Sequence, residues 1–508
     1  MKTIKQQKTV LLFLLLLAVG ITVNGQSQSQ LLSFDQAMQI MLGQNPALLR
    51  QKEEIRQKEF EIKSKKGMRL PQVSLNATAV AMSDPLHLDL TPVGEAISPL
   101  YETLGNYGVF NGVPNPDPAT NALYPYLSDD MSTEIVRQQL LEGGEAIAAH
   151  DWDEIIQEKN FALLTASFAL PIYAGSKING ANQAAEVNLD ISEQELRHAE
   201  GVLLTELVTR YYGLALGLQV EKLRKEMLIS MENHYNDAKK LFDNGMIAKV
   251  ELLHAEVAKN EAEREVKQAV RNVEILRTGL KATLATDSMG LVIPANNLFI
   301  NNELTGLAAW LDRAKELNPQ LKQIQGKKEL VEIKHKVEKN EYLPTIAAMG
   351  NYNIADKNFS PYMPEWELGI GMTWNLFQGM SRKNNILASE TLHNQVEYAE
   401  QKANNDLEAY LVKLYNELQM QMEQKTELET TLELANEYRQ STETAFNEGF
   451  ATSTDVVEAN TKVMQVKTLR LSVLYNYDVG LANFLQTAGV PEQYIDFSSG
   501  DNTVTESL

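Results

Sequence analysis

A window of 69 residues, 380–448, contains neither glycine nor proline, and this absence constrains the fold more than any other feature of the sequence. The window consists mostly of Ala, Leu, Glu, Gln, Asn and Lys, which favour or tolerate a helix. One continuous helix of this size would be about 100 Å long. Leu407, Leu411, Leu414 and Leu418 give the three- and four-residue spacing of a packed face. The window therefore predicts a very long helix that neighbouring helices must support.

The sequence also carries an internal duplication. Asn244-Gly245 and Glu448-Gly449 lie 204 positions apart, and Asn45-Pro46 and Asn318-Pro319 lie 273 positions apart. Constant offsets between matching motifs are the signature of a repeated structural unit. The larger offset of the earlier pair places about 69 extra residues in the first copy.

These matches predict a first structural repeat over residues 31–290 and a second over residues 303–490. The extra residues of the first repeat form the segment 84–160, which holds seven of the 16 prolines and reads as a loop inserted in the first strand pair. If the strands span a membrane, this insertion is extracellular. Residues 491–508 are predicted to be a polar C-terminal tail.

The N-terminus has the pattern of a secretory signal peptide. Lys2, Lys5 and Lys8 precede the apolar run 10–23, and small residues follow before a predicted cut that removes residues 1–25. The run is shorter than the roughly 20 residues that a transmembrane helix needs. We therefore expect the mature chain to be exported.

Four segments alternate between apolar and polar or small side chains. The alternation is cleanest over 366–376 and is also present over 72–79, 162–170 and 345–353. Strands of about 9–11 residues with aromatic ends are typical of membrane barrels. An amphipathic sheet on a soluble core is the alternative for any one of these strands.

Four strands are too few to close a barrel, because about eight are the minimum. Open strand edges cannot lie in lipid, so a membrane barrel requires several chains to pool their strands. Trp366, Trp374 and Phe377 are the predicted interface aromatics.

Composition and motifs exclude several functional classes. A net charge of -21 argues against nucleic-acid binding, and the lack of cysteine excludes disulfides, thiolate catalysis and cysteine metal sites. The seven histidines are scattered, and neither a zinc-binding helix motif nor a nucleophile elbow nor a phosphate loop is present. We therefore predict no enzyme activity, no catalytic residue, no cofactor and no metal.

Over residues 31–490 the chain resembles the TolC family, the outer-membrane efflux proteins of Gram-negative bacteria. The most specific motifs are Met372-Thr-Trp-Asn-Leu-Phe-Gln-Gly379 and the helix tip 446–458. The resemblance implies an α+β chain that is mainly α, with a long-helix α-barrel joined to a transmembrane β-barrel. Both barrels are completed by trimerisation, with four strands per chain.

The resemblance also implies a function, which is a passive exit duct of a tripartite efflux or type I secretion system. The expected partners are a periplasmic adaptor, an inner-membrane transporter that supplies the energy, outer-membrane lipid and two further copies of the chain. The expected location is the outer membrane, with a long periplasmic extension. A periplasmic adaptor or a secreted coiled-coil scaffold is the alternative, although neither needs a duplicated pair of amphipathic strands.

Two glycine turns are predicted where long helices reverse direction. These tips contain Asn244 and Gly245 in the first repeat, and Glu448 and Gly449 in the second. The resemblance implies that the tips contact the adaptor.

Asp455 and Glu458 lie three residues apart and therefore on one face of a helix. The resemblance implies that they line the channel aperture, together with Glu251 of the first repeat. The spacing of Thr452 and Asp455 equally indicates a capping box, in which the acid stabilises the helix N-terminus. Both roles remain open from the sequence.

The aperture region departs from the pattern of the best-known family members. They have a Tyr and an Arg that latch the mouth, where this chain has Phe446 and Ala451. Neither residue can make a hydroxyl hydrogen bond or a salt bridge. The sequence therefore leaves the closure mechanism open.

Overall fold

The computed structural model describes residues 29–286, 290–301, 304, 306–499 and 503–505. The predicted signal peptide, residues 1–25, lies outside the described residues. Within these ranges, none of the helices carries an apolar stretch that could cross a membrane.

The helices and strands alternate along the chain in two similar series. The helices are α1 (Phe34–Gln44), α2 (Pro46–Gly67), α3 (Thr91–Tyr107), α4 (Asp129–Ala149), α5 (Lys177–Asp243), α6 (Lys249–Leu284), α7 (Leu307–Leu317), α8 (Pro319–Lys339), α9 (Ser381–Asn447), α10 (Ser453–Thr487) and α11 (Tyr494–Ser499). The strands are β1 (Ser29–Leu32), β2 (Gln72–Ala81), β3 (Leu86–Asp89), β4 (Asp153–Gln157), β5 (Asn160–Tyr173), β6 (Leu291–Pro294), β7 (Phe299–Asn301), β8 (Thr345–Lys357), β9 (Trp366–Thr373) and β10 (Thr503–Thr505).

The predicted long helix is confirmed, and it has a counterpart of equal length. α5 and α9 each contain 67 residues, and their first residues lie 204 positions apart. Two consecutive residues with positive φ precede each of them, Gly175 and Ser176 before α5 and Gly379 and Met380 before α9. The same backbone reversal therefore leads into both long helices. The α1–α2 and α7–α8 pairs repeat with the offset of 273.

The described elements divide into two compact units. The helical unit contains the residues up to Ser64, Asn179–Lys339, and the residues from Met380 onward. The strand unit contains Lys65–Ile178 and Asn340–Gly379.

An aromatic core holds the helical unit together. Phe34, Tyr211, Tyr212, Phe299 and Tyr494 are buried, with ring centroids 5.1–6.1 Å apart between neighbours. The Tyr211 hydroxyl donates to the Leu32 carbonyl at 2.7 Å and accepts from the backbone N–H groups of residues 295 and 296. Its hydrogen-bonding capacity is thus satisfied inside the core, as a buried hydroxyl requires.

The predicted polar tail needs a correction where its residues are described. Residues 491–499 form a 3₁₀ turn followed by α11, and Tyr494 is fully buried in the aromatic core. β10 then pairs antiparallel with β7. Tyr494, Ile495 and Phe497 supply the apolar surface that ties this polar segment to the core.

The strand unit is built on one antiparallel sheet with the order β2-β5-β8-β9. The four predicted strands are confirmed. Antiparallel partners share a face of the sheet, so the register places Val73, Phe168, Gly350 and Leu368 in one row. Val73 and Leu368 are strongly exposed. The sheet therefore presents an apolar face that no other described part of the chain covers.

The opposite face of the sheet is polar. Its register aligns Ser74, Ser167, Asn351 and Glu367 across all four strands. The Asn351 amide donates to the Glu367 carboxylate at 2.6 Å, and the Asn76 amide donates to the Ser167 hydroxyl at 3.0 Å. A sheet with one apolar face and one hydrogen-bonded polar face has the pattern of barrel strands that lie between lipid and water.

The insertion 84–160 contains regular structure, which corrects its interpretation as a loop. β3 and β4 pair as an extension beyond the sheet, and α3 packs against α4. Gly94 and Gly105 allow the close approach, since a Cβ there would lie 2.6 Å from the Trp152 indole and 2.7 Å from the Leu141 side chain. The segment between α3 and α4, which includes 111–118, is irregular apart from a bridge between Pro114 and Tyr126.

Candidate functional site

The two predicted helix tips have the same backbone geometry. Gly245 and Gly449 have φ values of +71° and +81°, which residues with a Cβ rarely adopt. After each glycine, a backbone N–H donates to a carbonyl five residues earlier, from Met246 to Leu241 and from Phe450 to residue 445, both at 2.8 Å. This is the bond of a Schellman helix end. Both tips are thus short, fixed turns.

The residues of the second tip form the predicted capping box. The Asp455 carboxylate accepts from the backbone N–H and the hydroxyl of Thr452, both at 2.7 Å. The Thr452 hydroxyl in turn accepts from the Asp455 N–H at 3.3 Å. These hydrogen bonds from Thr452 lower the pKa of the Asp455 carboxyl, so it is ionised at neutral pH. The capping role is therefore present in the structure.

Glu251 occupies the position equivalent to Asp455 but does not cap its own helix. Ala248, the N-cap residue of α6, makes no side-chain cap bond. Instead, the Glu251 carboxylate accepts from the backbone N–H of Ser453, the first residue of α10, at 2.8 Å. The structure therefore brings Glu251 and Asp455 to the same helix N-terminus, where the macrodipole favours negative charge. Glu458, one turn further along α10, is exposed.

A buried contact beneath this N-terminus joins the two repeats a second time. His234 Nε2 lies 2.7 Å from the Ser453 hydroxyl, and the His234 ring lies 4.8 Å from the Phe446 ring. Burial lowers the pKa of the His234 imidazole, which favours its neutral form. Ser453 is fully buried. Sequence reasoning missed both residues, although His234 lies four positions before Ala238 on the packed face of α5.

All four long helices meet in a small apolar cluster at the tips, which we call the tip cluster. It consists of Ala238 from α5, Ala255 from α6, Phe446 from α9 and Val456 from α10. Ala451 packs against it. Phe446 and Ala451, which replace the latch residues of the best-known family members, therefore pack the two hairpins of one chain against each other.

Truncating Phe446 is expected to loosen the tips. Phe446 is 3% exposed, and removing a buried phenyl ring costs about 3–5 kcal/mol. Phe450, four residues later, is 84% exposed and supplies the matched control, with an effect of about 0.5 kcal/mol or less. We expect Phe446→Ala to speed hydrogen exchange at both tips, while Phe450→Ala leaves it unchanged. Equal exchange in the two variants would contradict the packing role.

The predicted interface aromatics lie at the two ends of β9. Trp366 is its first residue and Trp374 follows its last, which puts them about 27 Å apart along an extended strand. Both are exposed, and the Trp374 indole donates to the Tyr342 carbonyl at 2.9 Å. Phe377 lies beyond the strand and is exposed. Barrel strands are tilted by about 35–45°, so this separation corresponds to roughly 20 Å across a membrane, somewhat less than an apolar band of about 25 Å, and the lipid-facing role remains a prediction.

Within the described part of the chain, no group of three or more His, Asp or Glu side chains is placed to hold a metal ion. The candidate functional features are the carboxylates at the N-terminus of α10 in the helical unit and, separately, the amphipathic sheet of the strand unit.

Comparisons with solved structures identify the fold. A membrane protein from Pseudomonas aeruginosa superposes with a TM-score of 0.68 at 11% identity, covering 91% of this chain and 92% of the other. The outer membrane protein VceC from Vibrio cholerae gives 0.64 at 12% identity, with 90% and 96% covered. The open MtrE outer membrane channel of Neisseria gonorrhoeae gives 0.64 at 11% identity, with 90% and 89% covered. A search of curated proteins found no significant match.

The fold is therefore that of the outer-membrane efflux channels, mainly helical and with one four-stranded sheet among the described residues. A sequence model described as "outer membrane efflux protein" matches residues 146–286 and 310–490, which is more than half of the chain. The family consists of channels rather than enzymes. This chain belongs to the outer membrane efflux protein family.

Proposed function

We propose that the chain is the exit duct of a tripartite efflux or type I secretion system in the outer membrane of a Gram-negative bacterium. The observation that carries the proposal is the sheet of the strand unit, with its exposed apolar face. β2 and β9 form its edges, since each has one neighbour among the described strands. Open edges are not tolerated in lipid, so the sheet needs strands from further copies.

Three copies supply twelve strands, which is enough for a closed membrane barrel. They also supply twelve long helices, from α5, α6, α9 and α10, for a tube in the periplasm. The duct is passive, and an inner-membrane transporter provides the energy. A passive channel that relies on a separate transporter for energy agrees with the chain's family, and such a channel needs no catalytic group.

The helix tips are the proposed contacts for a periplasmic adaptor. Asn244, Gly245, Glu448 and Gly449 form the fixed turns, and an extended recognition surface benefits from such rigidity because less ordering is required on binding. The adjacent acids are the proposed aperture. Glu458 is exposed, whereas Asp455 and Glu251 are hydrogen-bonded at the start of α10.

Solubility and mass test this proposal directly. We expect the mature chain to require detergent for extraction and to give a trimer by native mass spectrometry in detergent. Purification should also retain an adaptor after chemical cross-linking in cells. Mature protein that stays monomeric and dispersed in buffer without detergent would contradict the duct.

Nothing in the fold or the family match supports the alternatives of a periplasmic adaptor or a secreted coiled-coil scaffold. A scaffold would have no use for a sheet whose apolar face leaves Val73, Leu368 and Ile370 exposed.

A further inference from the structure

Helix α3 in the insertion carries an apolar stripe that the described residues leave largely exposed. The stripe is spaced at alternating intervals of three and four residues, beginning at the N-cap residue of the helix. Its members with their exposed fractions are Leu90 (37%), Val93 (45%), the half-buried Ile97, Leu100 (56%), Leu104 (38%) and Tyr107 (80%). This alternation is the heptad pattern of a coiled-coil seam, in which each residue packs between residues of a partner helix.

The stripe is distinct from the surface by which α3 packs inside the chain. Gly94 and Gly105 face the neighbouring residues Trp152 and Leu141 at distances that leave no room for a side chain. At 100° per residue, these glycines lie roughly 100° around the helix from the stripe. α3 is thus held by one face, and a second face remains free for a partner.

The charges on α3 allow identical helices to approach each other along this stripe. Glu95 and Glu102 are the charged residues of α3, and each lies two positions beyond a seam residue, about 200° around the helix. The positions that flank the seam in the middle of the helix are Ala96, Tyr101 and Thr103, all uncharged. Like charges therefore do not face each other between copies.

The surrounding charge argues against a lipid surface as the partner. Residues 84–160 contain 14 Asp and Glu but two Lys and Arg, a net charge of -12. Helices that lie on anionic membranes carry basic residues along the polar face, and an acidic segment is repelled by such a surface.

We propose that α3 packs against α3 of further copies of this chain, in parallel and in register, through the stripe from Leu90 to Tyr107. The inference rests on the proposed trimer, in which a threefold axis gives the three helices the same direction along the axis and the same register. The insertion connects β2 to β5, so each copy brings its α3 to the same end of the pooled sheet. The contact joins the copies beyond the membrane strands, at the outer mouth of the duct.

Cysteine cross-linking tests this contact cleanly, because the chain has no cysteine of its own. Leu100→Cys places a thiol in the seam, and Glu102→Cys, the matched control, places one on the far side of the same helix. Treatment of each detergent-solubilised variant with a short bismaleimide should shift most of the Leu100→Cys protein to twice the monomer mass on a denaturing gel. Glu102→Cys should remain at the monomer mass. Leu104→Cys serves as a second seam reporter.

Native mass spectrometry of the same samples separates the two proposals. A trimer in which the seam and control thiols cross-link equally, or in which no seam thiol cross-links, overturns the α3 contact and leaves the duct intact. A monomer overturns the trimer as well. A third outcome is that the Leu100→Cys thiol of trimers fails to cross-link and yet reacts more slowly with a maleimide when lipid vesicles are added. In that case the stripe contacts lipid and the proposal is wrong.

Discussion

Replacing Ile370 by arginine is expected to abolish the membrane-inserted trimer. Ile370 is 73% exposed at the middle of β9, on the apolar face of the sheet. Arginine on the lipid side of a barrel costs about 2–4 kcal/mol near the bilayer centre. Since each trimer would carry three copies of the change, the penalty is roughly 6–12 kcal/mol, comparable with the stability of a whole domain. Heat-modifiable trimer on gels and bilayer conductance should both disappear.

The adjacent residue provides a matched control for the face of the strand. Gly369 lies on the opposite, polar face, and a Cβ added there would meet no heavy atom within 4 Å. Gly369→Arg therefore introduces the same charge at nearly the same depth without contact with lipid. We expect its trimer to assemble, with altered conductance as the main effect. Equal assembly of Ile370→Arg and Gly369→Arg would show that the apolar face does not meet lipid.

Patterns with a strict period predicted the fold well. The alternation over 366–376 identified β9, and the window without glycine or proline identified α9 to within two residues at its ends. Both patterns result from contacts that repeat regularly along the element, so the sequence alone records them. The turns at Gly245 and Gly449, where both glycines have a positive φ, were likewise predicted from local backbone requirements.

In the insertion, proline and glycine residues wrongly predicted a loop. Pro92 lies at the start of α3, where a missing N–H costs nothing, and Pro99 is tolerated within the helix. Gly94 and Gly105 serve the close packing of α3 rather than a turn. The same residue types therefore mark loops in one context and helix packing in another. The seam from Leu90 to Tyr107 was the periodic signal that could have revealed the helix.

Contacts between the two repeats were beyond prediction from one sequence. The hydrogen bond from the Ser453 N–H to Glu251 joins residues 202 positions apart, and its geometry depends on how the two hairpins pack. The local Thr452–Asp455 box, by contrast, was visible as a three-residue spacing. The helix capping of the second tip was thus predictable, while the asymmetry between the tips was not.

Neutralising the two acids in the first two turns of α10, by Asp455→Asn with Glu458→Gln, is expected to lower the cation preference of the channel. In a trimer the two positions contribute six carboxylates, and Asp455 stays ionised because hydrogen bonds from Thr452 lower its pKa. Fixed charges act over a Debye length of about 10 Å at 0.1 M salt, which is enough to enrich cations in a narrow aperture. In planar bilayers under a tenfold KCl gradient, the reversal potential should move towards zero.

Single variants then show whether each acid lines the aperture or caps the N-terminus of α10, a choice that the sequence left open. Glu458→Gln removes an exposed charge that takes no part in the capping box, so any shift it causes reflects the aperture. Asp455→Asn retains an oxygen that can accept from the Thr452 N–H, so helix stability is largely kept. Glu53→Gln with Glu54→Gln removes as many charges from α2 and should leave selectivity unchanged. An unaltered reversal potential in the Asp455/Glu458 double variant would restrict these acids to stabilising the helix.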